Sequence, residues 1–366
     1  MARMTRRTFL ESGAAALAGA ALSRSAIPAE EARLPGASDI FRRLTFPEGL
    51  PVPGPEVAIR TAGVRRVPVA GGTHRVWTRR VGSGRTPVLI LHGGPGGTHE
   101  SLECLGDFLP AEGCTLYFYD QLGCGNSDRP GDDSLWTVNR YAEEVEEVRA
   151  ALGLADFVLY GHSFGGMLAI EYALAHPRHL KALVLSNVTA SVASHVQHMN
   201  RLRAELPEKV RAVLERCERE GLTQAPEYRD ALMGMVYPRH LCRLAPWPEP
   251  LERSFRNQNT RIHDLLCGPS GLAVTGRIKG WDRWSDLHRI VAPTLLLVGY
   301  YDTVNPADIR RMVRLLPNGR AAVCTSGSHF SLWDDQEAYF RHLTRFLRQV
   351  RDGSFAPEPR RVPDYE

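Results

Sequence analysis

The sequence predicts an α/β protein, a mostly parallel, doubly wound sheet interrupted by a helical insertion. Three observations lead there. Short apolar runs ending at glycine or other turn residues alternate with amphipathic segments of helical period. From about Thr189 to Asp286 this alternation stops, and the chain is polar, helical and broken by proline. Near Pro293 it resumes in the same form.

Pro87–Leu91 and Thr115–Tyr119 read as buried strands, being continuous apolar runs too short for a helix. From Val138 to Leu152 a helical period places Val138, Tyr141, Ala142, Val145, Val148 and Leu152 on one face, with charges opposite. Phe157–Tyr160 is a third strand, Gly165–His176 a helix and Ala182–Leu185 a fourth strand. Within the insertion, Asn200–Cys217 and Tyr228–Tyr237 read as helices. Thr294–Val298, Asp308–Leu315, Ala321–Cys324 and Gln336–Val350 then read as strand, helix, strand and helix.

The chain has 366 residues, 43% hydrophobic and 23% charged, an ordinary globular balance. Its start carries Arg6-Arg7, then Phe9-Leu10, then a small-residue apolar stretch from Gly13 to Leu22. A basic region, a short apolar region and a small-residue exit make a signal peptide, here of the twin-arginine (Tat) type. That apolar run is too short to anchor the chain in a bilayer. The expectation is export with cleavage between Ser23 and Ala29, giving a periplasmic or extracellular protein without a stable membrane anchor. Residues 1–25 hold a net +3, so export leaves +1 of the formal +4. That balance argues against a nucleic-acid partner or an anionic membrane surface. Residues 27–56 hold six prolines and little periodicity. The expected organisation is a signal peptide over 1–29, an N-terminal extension over 30–72, a core over 73–188 and 287–351, a helical cap over 189–286 and a loose tail over 352–366. Seven cysteines, an odd number with no CxxC pair, give no zinc site and read as small core residues.

Gly161-His-Ser163-Phe-Gly165 stands between a strand and a helix. In that setting G-x-S-x-G is a nucleophile elbow, a turn so sharp that side chains at the glycines would clash. A serine hydroxyl needs a base to take its proton, and the base needs an acid to orient it. In the α/β-hydrolase fold the partners follow in the order Ser, Asp or Glu, His. Asp302 follows the strand Thr294–Val298, and His329 follows the strand ending at Cys324. Both stand at C-terminal strand ends, where sites gather in open parallel sheets. His92, His162 and His288 compete for the base and Asp308 for the acid. The first two sit in tight glycine turns, His288 precedes a strand, and Asp308 reads as an early helix residue. The loop His92-Gly-Gly-Pro-Gly-Gly97 brings bare backbone to the reacting centre, so the N–H groups of Gly94 and Phe164 are the expected oxyanion donors. The chemistry asks for no metal and no cofactor.

Four motifs, His92–Gly97, Asp120-Gln-Leu-Gly-Cys-Gly-Asn-Ser127, Gly161–Gly166 and Gly299-Tyr-Tyr-Asp302, together resemble the proline iminopeptidase family. The similarity is greatest to the branch that contains the tricorn-interacting aminopeptidase. It runs from about Thr73 to Phe346 and includes cap segments such as Met199–Leu202 and Ile278–Asp282. This resemblance implies hydrolysis of an N-terminal residue, often proline, from short peptides or small amides. The family uses two glutamates to hold the substrate's α-amine; their places here are taken by Gly271 and Thr303. A buried ammonium without an anionic partner is costly, and Glu100, Glu103 and Asp264 are the candidates to substitute. Without them the same machinery would serve an esterase, lactonase or amidase acting on amine-free substrates.

Overall fold

The computed structural model describes residues 61–270 and 272–359. The expected signal peptide, the extension up to residue 60, Gly271 and the last seven residues lie outside the described residues. The described chain is built on one eight-stranded sheet in the order β1-β2-β4-β3-β5-β6-β7-β8. Its strands are β1 (Val64–Val69), β2 (His74–Val81), β3 (Thr86–Leu91), β4 (Cys114–Tyr119), β5 (Phe157–His162), β6 (Leu180–Ser186), β7 (Thr294–Gly299) and β8 (Gly319–Cys324). β1–β2 and β2–β4 pair antiparallel, and every pairing from β4 through β8 is parallel.

The parallel strands inside the sheet are buried on both faces, as crossover helices require, while the edge strand β8 is only half buried. Leu89, Leu91, Leu159, Leu183, Leu185 and Val298 point to one face. There they meet α1 (Val138–Leu152), α2 (Phe164–Ala175) and, beyond the cap, α8 (Pro306–Leu315). Their neighbours Val88, Ile90, Val158, Val184, Leu295 and Leu297 point to the other face, against α9 (Gln336–Arg351). The period of two in the strands therefore divides one apolar run between two cores. α1 starts where expected because the Thr137 hydroxyl caps Arg140 N–H, and it stops at Gly153 in the left-handed region.

Between β6 and β7 lies the cap: α3 (Val192–Ala204), α4 (Glu208–Arg219), α5 (Pro226–Ala231), α6 (Glu249–Arg256) and α7 (Thr260–Leu266). The single helix expected over Asn200–Cys217 is two helices, because Pro207 cannot continue α3 and instead leads into α4. The cap has a small core of its own, with Met199, Leu214, Cys217 and Tyr228 buried. Arg253 of α6 joins it to the loop after β3, bonding Glu100 at 2.8 Å and Glu103 at 2.5 Å.

Two expected boundaries move. All of β1 lies ahead of Thr73 and pairs with β2 beyond it, so the sheet begins inside the stretch assigned to the extension. β1 escapes the sequence pattern because only Val67 and Val69 are buried, while Arg65, Arg66 and Pro68 are exposed. The tail is not loose over its described part. Phe355 packs edge-on against Phe346, and Glu358 N–H reaches Gly319 O at 2.9 Å. All seven cysteines are free, six of them buried.

Candidate active site

Ser163 stands between the last residue of β5 and the first of α2, with φ 54° and ψ −122°. For a residue with a Cβ this conformation is strained, and such strain persists only where the surroundings impose it. The surroundings are backbone. A Cβ on Gly161 would lie 2.3 Å from Gly165 O, and one on Gly165 would lie 2.3 Å from Leu91 O. The turn therefore closes only with glycine at both places, and it lifts the serine hydroxyl into the cavity above the sheet. Phe164, as the first residue of α2, has an N–H with no acceptor inside the helix. Gly94 has φ 125°, in a loop whose base is held from below. Gln121 donates its backbone N–H to His92 Nε2 at 3.0 Å and its side-chain N–H to His92 O at 2.9 Å. Gly94 and Ser163 border the same two chambers, and Phe164 borders the smaller one.

Asp302 and His329 are brought together from the ends of neighbouring strands β7 and β8. His329 Nδ1–H donates to Asp302 Oδ1 at 2.7 Å. With Nδ1 so engaged, Nε2 is the nitrogen left for Ser163. Asp302 is fully buried, and burial alone would raise its pKa. The neighbouring His329, the Val304 N–H at 2.9 Å and the Asn187 amide at 2.6 Å outweigh that, so the carboxyl is held below its ordinary value. The Thr303 hydroxyl adds a bond of 3.2 Å to the same Oδ1 and lies 3.1 Å from His329 Nδ1. From the cap, His240 clamps both loops, its Nδ1 to Tyr301 O at 2.8 Å and its own carbonyl to His329 N–H at 3.0 Å.

The rival residues are placed elsewhere. His92 and His162 are buried, and burial lowers the pKa of each, so both are neutral. His92 is spent on Gly93 O and Gln121 N–H, while His162 Nδ1 lies 3.2 Å from the Ser186 hydroxyl. Asp308 accepts from the Thr189 hydroxyl. His288 lies in the short turn ahead of β7, at the end of the sheet away from the site.

Asn187 is the residue the sequence reading missed. Its Nδ2 spans Asp302 Oδ2 and Ser328 O, and its Oδ1 takes the Ser186 hydroxyl at 2.7 Å and the Ser331 hydroxyl at 3.3 Å. Its backbone sits at φ 54°, a region asparagine tolerates better than most residues. That it directly follows a strand of the pattern was the available signal.

Two chambers meet at Ser163 and His329, of about 200 Å³ and about 100 Å³. Away from the junction the smaller is lined mainly by Met167, Val188, Val192, Ile278, Trp281 and Val304, with Asn187, Thr189 and Ser191 adding polar groups. No aspartate or glutamate among the described residues borders either chamber. The three candidate replacements for the lost glutamates are engaged or remote. Glu100 and Glu103 hold Arg253, and Asp264 stands half-exposed beside His263.

Comparison with known proteins gives the same architecture. The family defined by the alpha/beta hydrolase fold matches residues 86–336. A proline iminopeptidase of Elizabethkingia meningoseptica is 38% identical over 289 residues, covering 78% of this chain and 97% of its own length. The chain belongs to the proline iminopeptidase family of α/β-hydrolases. Another member, from Saccharolobus solfataricus, is 38% identical over 273 residues, 74% of this chain and 87% of its own. The crystal structure of the Mycobacterium smegmatis proline iminopeptidase superposes with a TM-score of 0.74 at 30% identity, covering 80% of this chain and 99% of that one.

Proposed function

We propose that the protein is a serine hydrolase working through an acyl-enzyme. The observation that carries this is the bond between His329 and Asp302, with Ser163 strained into the same cavity. Ser163 Oγ attacks the substrate carbonyl and His329 Nε2 takes its proton. The oxyanion is held by the N–H groups of Gly94 and Phe164, and Asp302 stabilises the imidazolium. His329 returns the proton to the leaving group. Water then enters and attacks the acyl carbon while giving a proton to His329; the acyl–Oγ bond breaks and His329 returns that proton to Ser163 Oγ. Ser163→Ala is expected to abolish both turnover and labelling by a fluorophosphonate probe; full turnover in that variant would refute the assignment.

Two substrate classes suit this machinery. Kinship with proline iminopeptidases supports release of an N-terminal proline or similar residue from short peptides or small amides. The carboxylate-free lining favours esters, lactones or amides without a free amine, because a buried ammonium would lack an anionic partner. We take the second as the better reading. Rates on prolyl and alanyl arylamides, on their N-acetyl forms and on simple esters separate the two. A preference for the free amines would overturn it. The Arg6-Arg7 start supports export by the twin-arginine route. Replacing both arginines by lysine is expected to keep the protein in the cytoplasm; unchanged export would refute that route.

A further inference from the structure

Besides His329, one more imidazole among the described residues borders both chambers, that of His195. It comes from the cap, on the first turn of α3, while the nucleophile and its base come from the sheet. α3 is fixed at that end. The Ser191 hydroxyl caps it, Val192 N–H donates to Trp281 O at 3.0 Å, and Ser191 pairs with Asp282. One turn further on, His198 Nε2 lies 3.2 Å from Asp302 O. The ring of His195 is therefore delivered to the junction by a helix braced at two points.

The groups facing that ring are His329, Asp302, His198 and the Thr303 backbone. Asp302 already serves His329 and Asn187 through its side chain. No carboxylate is left to make His195 a second base. Burial lowers its pKa to about 4, so the ring is neutral, with one N–H and one bare nitrogen. The nearby Thr303 backbone favours the ring's proton, and because the residue borders both chambers its bare nitrogen is available to the cavity.

We propose that His195 is a specificity-determining residue, whose bare ring nitrogen accepts a hydrogen bond from an uncharged O–H or N–H donor beside the scissile carbonyl. This rests on the serine-hydrolase reading above and deepens it. The substrate class it names is a 2-hydroxyacyl ester, or an ester of an N-acylated amino acid, with the remainder of the molecule free of cationic groups. The physical reason is satisfaction of polar groups. A site with a buried acceptor favours the substrate that satisfies it, and a substrate lacking the donor leaves the acceptor unpaired.

The test compares ethyl lactate with ethyl propionate, which differ by one hydroxyl, in wild type, His195→Leu and His195→Gln. The wild type is expected to favour lactate in kcat/KM. His195→Leu is expected to lose about 2- to 13-fold of that preference, the range for one neutral hydrogen bond. His195→Gln, which retains an acceptor, is expected to recover part of it. An equal loss on both esters would assign His195 a purely structural role and overturn the proposal, as would a wild type with no preference or one that hydrolyses neither ester. Fluorophosphonate labelling is measured alongside. If the wild type is labelled at Ser163 and the preference is absent, only the role of His195 falls; if it is not labelled, the serine-hydrolase reading falls with it.

Discussion

Removing the Asn187 side chain tests whether the acid of the site is held from behind as the geometry requires. The variant of choice is Asn187→Gly, because at φ 54° alanine would add backbone strain that glycine avoids. The substitution takes one donor, at 2.6 Å, from a fully buried carboxylate. A hydrogen bond to a charged group is worth about 1.5–3 kcal/mol. Lost wholly from the transition state, that is about 10- to 150-fold in kcat/KM. The lower half of the range is expected, since Oδ1 keeps the Val304 N–H, the Thr303 hydroxyl and His329. The pH profile gives a second readout with a fixed sign. Asp302 is held below its ordinary pKa, so its ionised form persists until the pH falls through that depressed value. With one stabilising donor gone, the carboxyl titrates higher, and the acid-side loss of activity begins at higher pH. The assay is kcat/KM on a simple ester across pH, normalised to sites titrated with fluorophosphonate, with a melting curve to confirm folding. A folded variant within twofold of wild type, with an unmoved acid limb, would refute the claim that Asn187 positions Asp302.

Asp302→Asn keeps the shape of the acid and removes its charge, so His329 loses both tautomer control and imidazolium stabilisation; kcat is expected to fall about 10⁴-fold, as for the serine protease triad. A loss under tenfold would show that another group orients His329. Glu144 is fully buried on α1, takes Leu122 N–H at 2.9 Å, and has no partner at Oε2. Burial raises its pKa to about 8 from the ordinary 4.5. The folded state thus binds a proton that the unfolded state has released, and stability falls as pH rises between those values, by an amount on the order of 5 kcal/mol in total. Glu144→Gln is expected to be close to neutral at pH 5 and stabilising at pH 9; melting temperatures that track wild type at both would refute this. Gly165→Ala would drive a methyl group onto Leu91 O, and overpacking of this kind costs about 1–3 kcal/mol or more. A lower melting point with reduced Ser163 labelling is expected, and an unchanged melting point would show that the elbow relaxes more easily than its contacts imply.

What could be read from the chain alone was whatever local chemistry enforces. The elbow around Ser163 is legible because its glycines stand in one five-residue motif between a strand and a helix, although Gly165 answers a clash with Leu91 O of β3, and α1 is legible because its cap, its stripe and its terminal Gly153 lie in one segment. The buried strands β3 through β7 announce themselves as apolar runs, since a sheet covered on both faces tolerates little else. β1 is hidden for the converse reason, since an edge strand with one wet face writes a weaker pattern. Strand order is another matter. Asp302 and His329 could be placed at strand ends, but their 2.7 Å contact exists because β7 and β8 are neighbours, and Asn187 reaches Asp302 because β6 lies beside β7. Asn187 follows its strand without motif or spacing, so its strand-end position is the one hint in the sequence and only the fold shows its contact with Asp302. The same holds for the cap. The resemblance implies carboxylates where Gly271 and Thr303 stand, but only the packed structure shows Glu100 and Glu103 spent on Arg253 and His195 at the junction of the chambers. Chemistry written in adjacent residues is determined locally, whereas recognition assembled from distant segments waits for burial and strand order to bring those segments together.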